Sequence, residues 1–295
     1  MKVSIQTIFD GTQQGPLRAF VEGVGRAIED RGFHAIWQSE HVVSFRHYDP
    51  RDRYPYSDDG VAPAFLAGVG MLDPMSMLTA LAMCTTNIEL GTGIAILPQR
   101  NPVYFAKMGT AIDLLSGGRF VAGVGLGWSS QEFASVGVPF EHRGSRMDEY
   151  VEVVRRLWTG DEAAFDGRFV TMPACVQLPC PARRPHPPFI FGGESPAALR
   201  RTARYGQGWF GYRLSPDALS ARLATLNEML LEQGRSRGEL TITVSPHEDF
   251  TDADAMANYA SIGADQINFA VLDKDIDAFR RRLDDIHAIT ANQLG

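Results

Sequence analysis

Cysteine is scarce in this chain of 295 residues: Cys84, Cys175 and Cys180 make an odd set without a CxxC pair. A structural zinc needs four ligands at tight spacing, and His186 alone stands near Cys175 and Cys180, so neither a metal site nor a disulfide framework is expected. The thiols read as reduced, the usual state in a cytoplasmic protein. Long hydrophobic runs are missing too. The most apolar stretch, residues 61–72, is broken by Pro63, Gly68 and Gly70, and the opening Met1-Lys2-Val3-Ser4-Ile5 enters a strand pattern without signal-peptide architecture, so no membrane span is expected. Positive charge is in deficit, with 28 Lys and Arg against 35 Asp and Glu and a net charge of −7. Such a field disfavours nucleic acid and anionic membrane surfaces and leaves small molecules as the expected partners. What is present suits a folded protein: 44% hydrophobic and 21% charged residues exclude a disordered chain.

Strands and helices alternate along the chain, which implies a parallel sheet with crossover helices. Val3, Ile5 and Thr7 open a strand, and Leu17, Phe20, Val21, Val24 and Ile28 then repeat at helical spacing until Gly32. A short strand over 34–38 precedes residues 42–73, which lack a period, carry several Tyr and Pro, and read as a long ordered loop over a site. Further strands are expected over 88–94, 119–125, 188–191, 208–211, 240–245 and 266–272, each followed by a helix. Residues 165–184 read as an inserted hairpin and Pro-rich loop, and Ser145 with Asp148 as a capping box in the helical region carrying Met147, Val151, Val154 and Trp158. Eight such units match a closed (β/α)8 TIM barrel in one domain spanning 1–295. An open doubly wound sheet fits less well, since the first turn is Phe9-Asp10-Gly11-Thr12 and no GxGxxG fingerprint occurs there.

A barrel of this kind places its site at the carboxyl ends of the strands. Those ends are Phe9-Asp10, Glu40-His41, Thr92-Gly93-Ile94, Gly125-Leu126-Gly127-Trp128 and Gly192-Gly193-Glu194-Ser195. His41 is the one histidine among them, a side chain suited to proton transfer, or else a packed imidazole with both nitrogens satisfied. Three roles are open to Glu40: orienting His41, binding a ring edge, or facing solvent. Ser195 is a natural N-cap and Pro196 suits the first turn, so this helix start attracts an anion such as phosphate. Arg200 and Arg204 either help there or mark a solvated face, and the diglycine alternative is an ordinary turn. Glycines at 123, 125 and 127 weaken a strand unless something needs the room: a flat ring, a second backbone, or a tapering barrel interior.

Leu90-Gly91-Thr92-Gly93-Ile94, Leu97-Pro98-Gln99-Arg100-Asn101-Pro102, Leu115-Ser116-Gly117-Gly118-Arg119 and Gly123 to Trp128 follow one another in order. Arg143-Gly144, Leu157-Trp158, the Gly192 to Ser195 turn and Gly206-Gln207-Gly208-Trp209 continue the series. Across nearly the whole chain these motifs resemble the bacterial luciferase-like family of flavin and deazaflavin oxidoreductases. The Asp-rich Tyr56-Ser57-Asp58-Asp59-Gly60 and the Arg-Asn-Pro run are most similar to its coenzyme F420 branch. Gln207 departs from the commoner aspartate. The resemblance implies a barrel holding a deazaflavin ring, with a cis peptide at Gly93–Ile94 behind it and His41 beside it. It places Leu126, Gly127, Gln131, Gly192, Gly193 and Ser195 along the cofactor chain and phosphate, with Asp10 and Thr92 also on the cofactor. The implied activity is hydride transfer between F420 and a small organic substrate, with His41 and Glu40 as the catalytic candidates. The alternatives are an FMN-dependent monooxygenase fed by a separate reductase and a non-catalytic flavin-binding barrel. Trp128 stands where the sugar-phosphate dehydrogenases of the family have a glutamate, which argues against a sugar phosphate and, with Phe9 and the tyrosines of 48–56, for a planar or hydrophobic substrate. A homodimer is implied by resemblance.

Overall fold

In the computed structural model, residues 1–295 are described except 58, 68, 69 and 292–295, so Asp58 of the Asp-rich stretch lies outside the described residues. The chain runs β1 (Lys2–Thr7), α1 (Leu17–Asp30), β2 (Ala35–Gln38), α2 (Pro74–Ala82), β3 (Glu89–Thr92), β4 (Ala95–Ile96), α3 (Pro102–Ser116), β5 (Phe120–Gly125) and α4 (Ser130–Ser135). It continues as α5 (Arg143–Thr159), β6 (Ala163–Asp166), β7 (Thr171–Cys175), β8 (Phe189–Gly192), α6 (Pro196–Tyr205) and β9 (Gly208–Leu214). Helix α7 (Pro216–Glu232), β10 (Thr241–Pro246), α8 (Ala253–Ile262), β11 (Gln266–Ala270) and α9 (Ile276–Thr290) complete it. The parallel order β3-β2-β1-β11-β10-β9-β8-β5 closes on itself through Leu90 opposite Phe120 and Gly91 opposite Val121. This is the expected eight-stranded TIM barrel. The hairpin expected in 165–184 is the antiparallel pair β6–β7, outside the barrel.

Two packed layers hold it together. Phe20, Val21, Val24 and Ile28 of α1 are buried, as are the apolar stripes of the other helices, which places the main core between the barrel and its helical ring. Inside the barrel a smaller cluster of Ala35, Trp37, Val121, Ile190 and Phe210 fills the lumen, with Trp37 edge-on to Phe210 at 5.4 Å. A Cβ at Gly91 or Gly93 would run into the Trp37 ring or its Cβ, so these glycines make room for the indole.

Two local readings need correction. The strand expected over 88–94 divides: β3 pairs with β2 as far as Thr92 opposite Gln38, the Gly93–Ile94 peptide is cis, and β4 resumes against β5. Ser145 does not cap α5, which starts at Arg143 behind His142 in the left-handed region (φ 56°) with no side-chain cap. Asp148 instead accepts from Arg201 at 2.6 Å, a long-range ion pair that outcompetes the local box.

Candidate active site

Strand β2 is buried on both faces, so the chain can present polar groups only where it leaves the barrel, at Glu40 and His41. Glu40 turns inward and is 5% exposed. It accepts the Ile96 N–H at 2.6 Å and Arg100 Nε at 2.7 Å, while Arg100 also reaches Asp73, the N-cap of α2, at 2.5 Å. Burial works against the charge on Arg100, but Glu40 and Asp73 together hold its pKa above the ordinary value. Glu40 therefore anchors the end of β2 to the β4 segment, and a different carboxylate serves His41. Glu132 accepts His41 Nδ1 at 3.0 Å and the Val42 N–H at 2.7 Å and is itself 1% exposed. Nδ1 is thus held by a buried carboxylate, and Nε2 has no protein partner among the described residues. Glu132 is a functional candidate that sequence reasoning missed.

The third strand end meets the glycines of β5 and β8. A Cβ on Gly125 would lie 3.1 Å from Ile94 Cγ2, and one on Gly192 would lie 3.0 Å from Ile94 Cγ1. The room left by these glycines is taken by the Ile94 branches, and that at Gly123 by the Thr92 carbonyl, so a side chain and a second backbone fill it. Thr92 Oγ1 donates to Gly123 O at 2.6 Å, and the Gln6 amide donates to Gly93 O at 2.7 Å and to Ser39 Oγ at 2.6 Å. These bonds hold Ile94 at the rim, half-buried against the inner cluster, on which Tyr212 also packs.

An aromatic wall runs from His41 across the mouth. Trp128 lies 6.1 Å from His41, 4.9 Å from Tyr48 and 5.2 Å from Tyr54; Tyr54 meets Tyr56 at 5.5 Å, and Tyr56 meets Tyr212 at 4.7 Å. Burial pushes the Tyr54 phenol up to about 12, and those of Tyr48, Tyr56 and Tyr212 upward as well, so the wall is uncharged at neutral pH. Beside it opens a cavity of about 530 Å³ lined by Tyr56, Glu194, Tyr212, Arg213 and His247, within the usual size for a small-molecule site.

At the fifth strand end Gly193 is in the left-handed region (φ 106°), its carbonyl accepting from Trp209 Nε1 at 2.9 Å, and Ser195 Oγ caps α6 by accepting the Ala198 N–H at 3.3 Å. Arg204 sits in the last turn of α6 over the Tyr205 ring, at the far end from Ser195. Gln131 accepts the Asp49 N–H at 2.7 Å and so holds the 42–73 loop. Gly127 turns at φ 71°, where a Cβ would lie 2.7 Å from Ile96 Cγ2, and Leu126 packs half-buried on the main core. Asp10, beyond the end of β1, is bound to Lys274 at 2.9 Å and to Thr12 Oγ1 at 2.8 Å. Among the described residues no cluster of three or more His, Cys, Asp or Glu is placed to hold a metal ion, and no helix is long and apolar enough to cross a membrane.

The luciferase-like monooxygenase family matches residues 1–293. The chain belongs to that family. An uncharacterized protein of Mycobacterium tuberculosis is 33% identical to this luciferase-like chain over 189 residues, a match spanning 64% of each protein. Among solved structures, monooxygenase RslO1 from Streptomyces bottropensis is similar with a TM-score of 0.78 at 18% identity, covering 100% of this chain and 98% of its own. The coenzyme F420-dependent tetrahydromethanopterin reductase from Methanopyrus kandleri is similar with a TM-score of 0.72 at 17% identity, covering 95% and 96%. At such identities the likeness is one of fold, and the luciferase-like barrel carries both kinds of enzyme.

Proposed function

We propose that this chain is an oxidoreductase of the coenzyme F420 type, transferring a hydride between the deazaflavin and a small, planar or hydrophobic organic substrate. The observation that carries this reading is the Glu132-held His41 beside Trp128 at the barrel mouth. Reducing an electron-poor C=C, C=O or imine takes a hydride and a proton, and F420 bound in its reduced form would supply the hydride and be oxidised. His41 supplies or polarises the proton from Nε2, while Glu132 at Nδ1 steadies the ring and its positive charge. Glu40 contributes by fixing the strand end on which His41 sits.

The residues present fit such a group. Ile94, propped over Gly125 and Gly192, offers a flat apolar surface for a ring system, and the wide turn at Gly193 with the exposed Ser195 helix start suits a phosphate. Thr92 and Gly93 support that surface, and we assign Leu126, Gly127 and Gln131 to the adjoining rim. Asp10 is assigned to its outer edge. We further assign to the proposal a single 1–295 domain, a homodimer, a cytoplasmic setting and a separate reductase that returns F420 to its reduced form.

The test is a side-by-side titration of the purified chain with F420 and FMN, followed by quenching of intrinsic Trp fluorescence and by oxygen uptake under turnover. F420 should bind more tightly, without oxygen consumption. Tight FMN binding with oxygen uptake would move the chain to the monooxygenases, and tight binding with no turnover on any acceptor would leave a flavin carrier.

A further inference from the structure

The cavity at the mouth is not electrically neutral. Arg213, in the left-handed region at φ 52°, is already matched: its guanidinium binds the Glu248 carboxylate and donates to Tyr56 O at 3.2 Å. His247 Nδ1 accepts the Asp249 N–H at 3.3 Å, and the ring lies 3.4 Å from the Asp249 carboxylate and 3.8 Å from that of Glu248, so neither side chain is open to an anionic ligand. Asp59 accepts the Val61 N–H at 2.9 Å and is exposed. Glu194 differs from all three. It lines the cavity, accepts only the Tyr212 N–H at 3.1 Å among the described residues, and has no ion-pair partner there. Burial pushes its carboxyl upward, and Arg222 acts on it only through space.

An unpaired carboxyl at the wall of a cavity is matched most economically by a ligand that brings the missing positive charge. Tyr56 and Tyr212 border the same cavity, packed edge to face at 4.7 Å, so the wall beside Glu194 is aromatic and suits an apolar or planar body. The chain's net charge of −7 adds a long-range attraction of the same sign. We propose that this cavity selects substrates carrying a cationic nitrogen on an apolar or planar body, with the nitrogen on Glu194 and the body against the Tyr56 and Tyr212 side of the wall. The proposal rests on reading this mouth as the substrate site, and it makes Glu194 a specificity-determining residue.

The experiment is calorimetric titration of the purified full chain, without F420, using benzylamine as the cationic probe and benzyl alcohol as its neutral counterpart. A charge-assisted hydrogen bond predicts a preference of roughly tenfold or more for the amine. Glu194→Gln keeps an acceptor for the Tyr212 N–H, so it should fold normally, erase that preference and leave benzyl alcohol binding unchanged. Equal affinities in the unmodified chain, no binding of either probe, or a preference that survives in E194Q would each overturn the proposal. Because the cofactor is absent, a failed F420 titration with an intact amine preference would unseat the F420 reading alone.

Discussion

Replacing Glu132 with glutamine changes one atom and inverts the hydrogen bonding at His41. The carboxylate offers two acceptors, one taken by the Val42 N–H at 2.7 Å and the other by His41 Nδ1 at 3.0 Å. Glutamine offers one acceptor and one donor group. The Val42 N–H can only donate, so the amide oxygen must stay there and the NH2 group must face Nδ1. The neutral imidazole then carries its hydrogen on Nε2 instead of Nδ1, and an imidazolium formed in turnover meets a donor where it had a carboxylate. Losing one hydrogen bond to a charged group is worth about 1.5–3 kcal/mol, which is roughly ten- to a hundredfold in rate. Stability should fall by less, about 1 kcal/mol, because the backbone contact survives. The assay is oxidation of reduced F420 with an acceptor that the unmodified chain reduces, accompanied by ¹⁵N NMR of His41 to read the tautomer. His41→Ala serves as the limiting case, with turnover lowered roughly 10²-fold and F420 affinity kept. Unmodified turnover in E132Q, or an unchanged tautomer, would refute the role assigned to Glu132.

Two further outcomes test the rim. Gly193→Val places a β-branched side chain at φ 106° with its Cβ 3.2 Å from Ala198 Cβ, a strain of about 1–3 kcal/mol; F420 affinity by Trp quenching should fall at least several-fold, and an unaltered Kd would remove this turn from the phosphate site. Burial opposes the charge on Asp10, but Lys274 and the Thr12 N–H and hydroxyl hold its carboxyl below the ordinary 3.8. A carboxylate favoured by the fold contributes its full stability above the unfolded pKa and loses it as pH drops through the lower folded value. Urea unfolding of Asp10→Asn should therefore show a shallower loss of stability below about pH 4, and coincident acid limbs for the two proteins would count against that linkage.

The barrel was legible because its signals are local. A parallel strand buried on both faces reads as a short apolar run, and the helix that returns the chain must show an apolar stripe, as Phe20, Val21, Val24 and Ile28 do. The departures occur where distant partners decide. The segment 88–94 looks like one strand, yet Gly93 N–H donates to Gln38 O of β2 at 2.6 Å and its carbonyl accepts from Gln6 of β1, residues that no window around 93 contains. The capping box at Ser145 has the right spacing, but Asp148 finds Arg201, 53 residues away. The glycines of β5 announced that space was needed without saying for what, since Thr92 ends another strand and Ile94 lies in the break that follows it.

The same reasoning explains why, of the roles open to Glu40, orienting His41 falls to a different acid. Neighbours along an extended chain point to opposite sides, so sequence adjacency is evidence against Glu40 as a partner for the imidazole. Glu40 obeys this, turning in to Ile96 and Arg100. The partner lies 91 residues on, in Ser129-Ser130-Gln131-Glu132, where the spacing of Ser129 and Glu132 is that of a capping box. Half of that box forms, with the Glu132 N–H donating to Ser129 Oγ at 3.4 Å. The carboxylate leaves the other half for Val42 and His41, a defection visible only once β2 and β5 stand one strand apart in the closed barrel. A glutamate of a capping box that follows a barrel strand is thus a candidate for service at the mouth, because the helix start that holds it also faces the site.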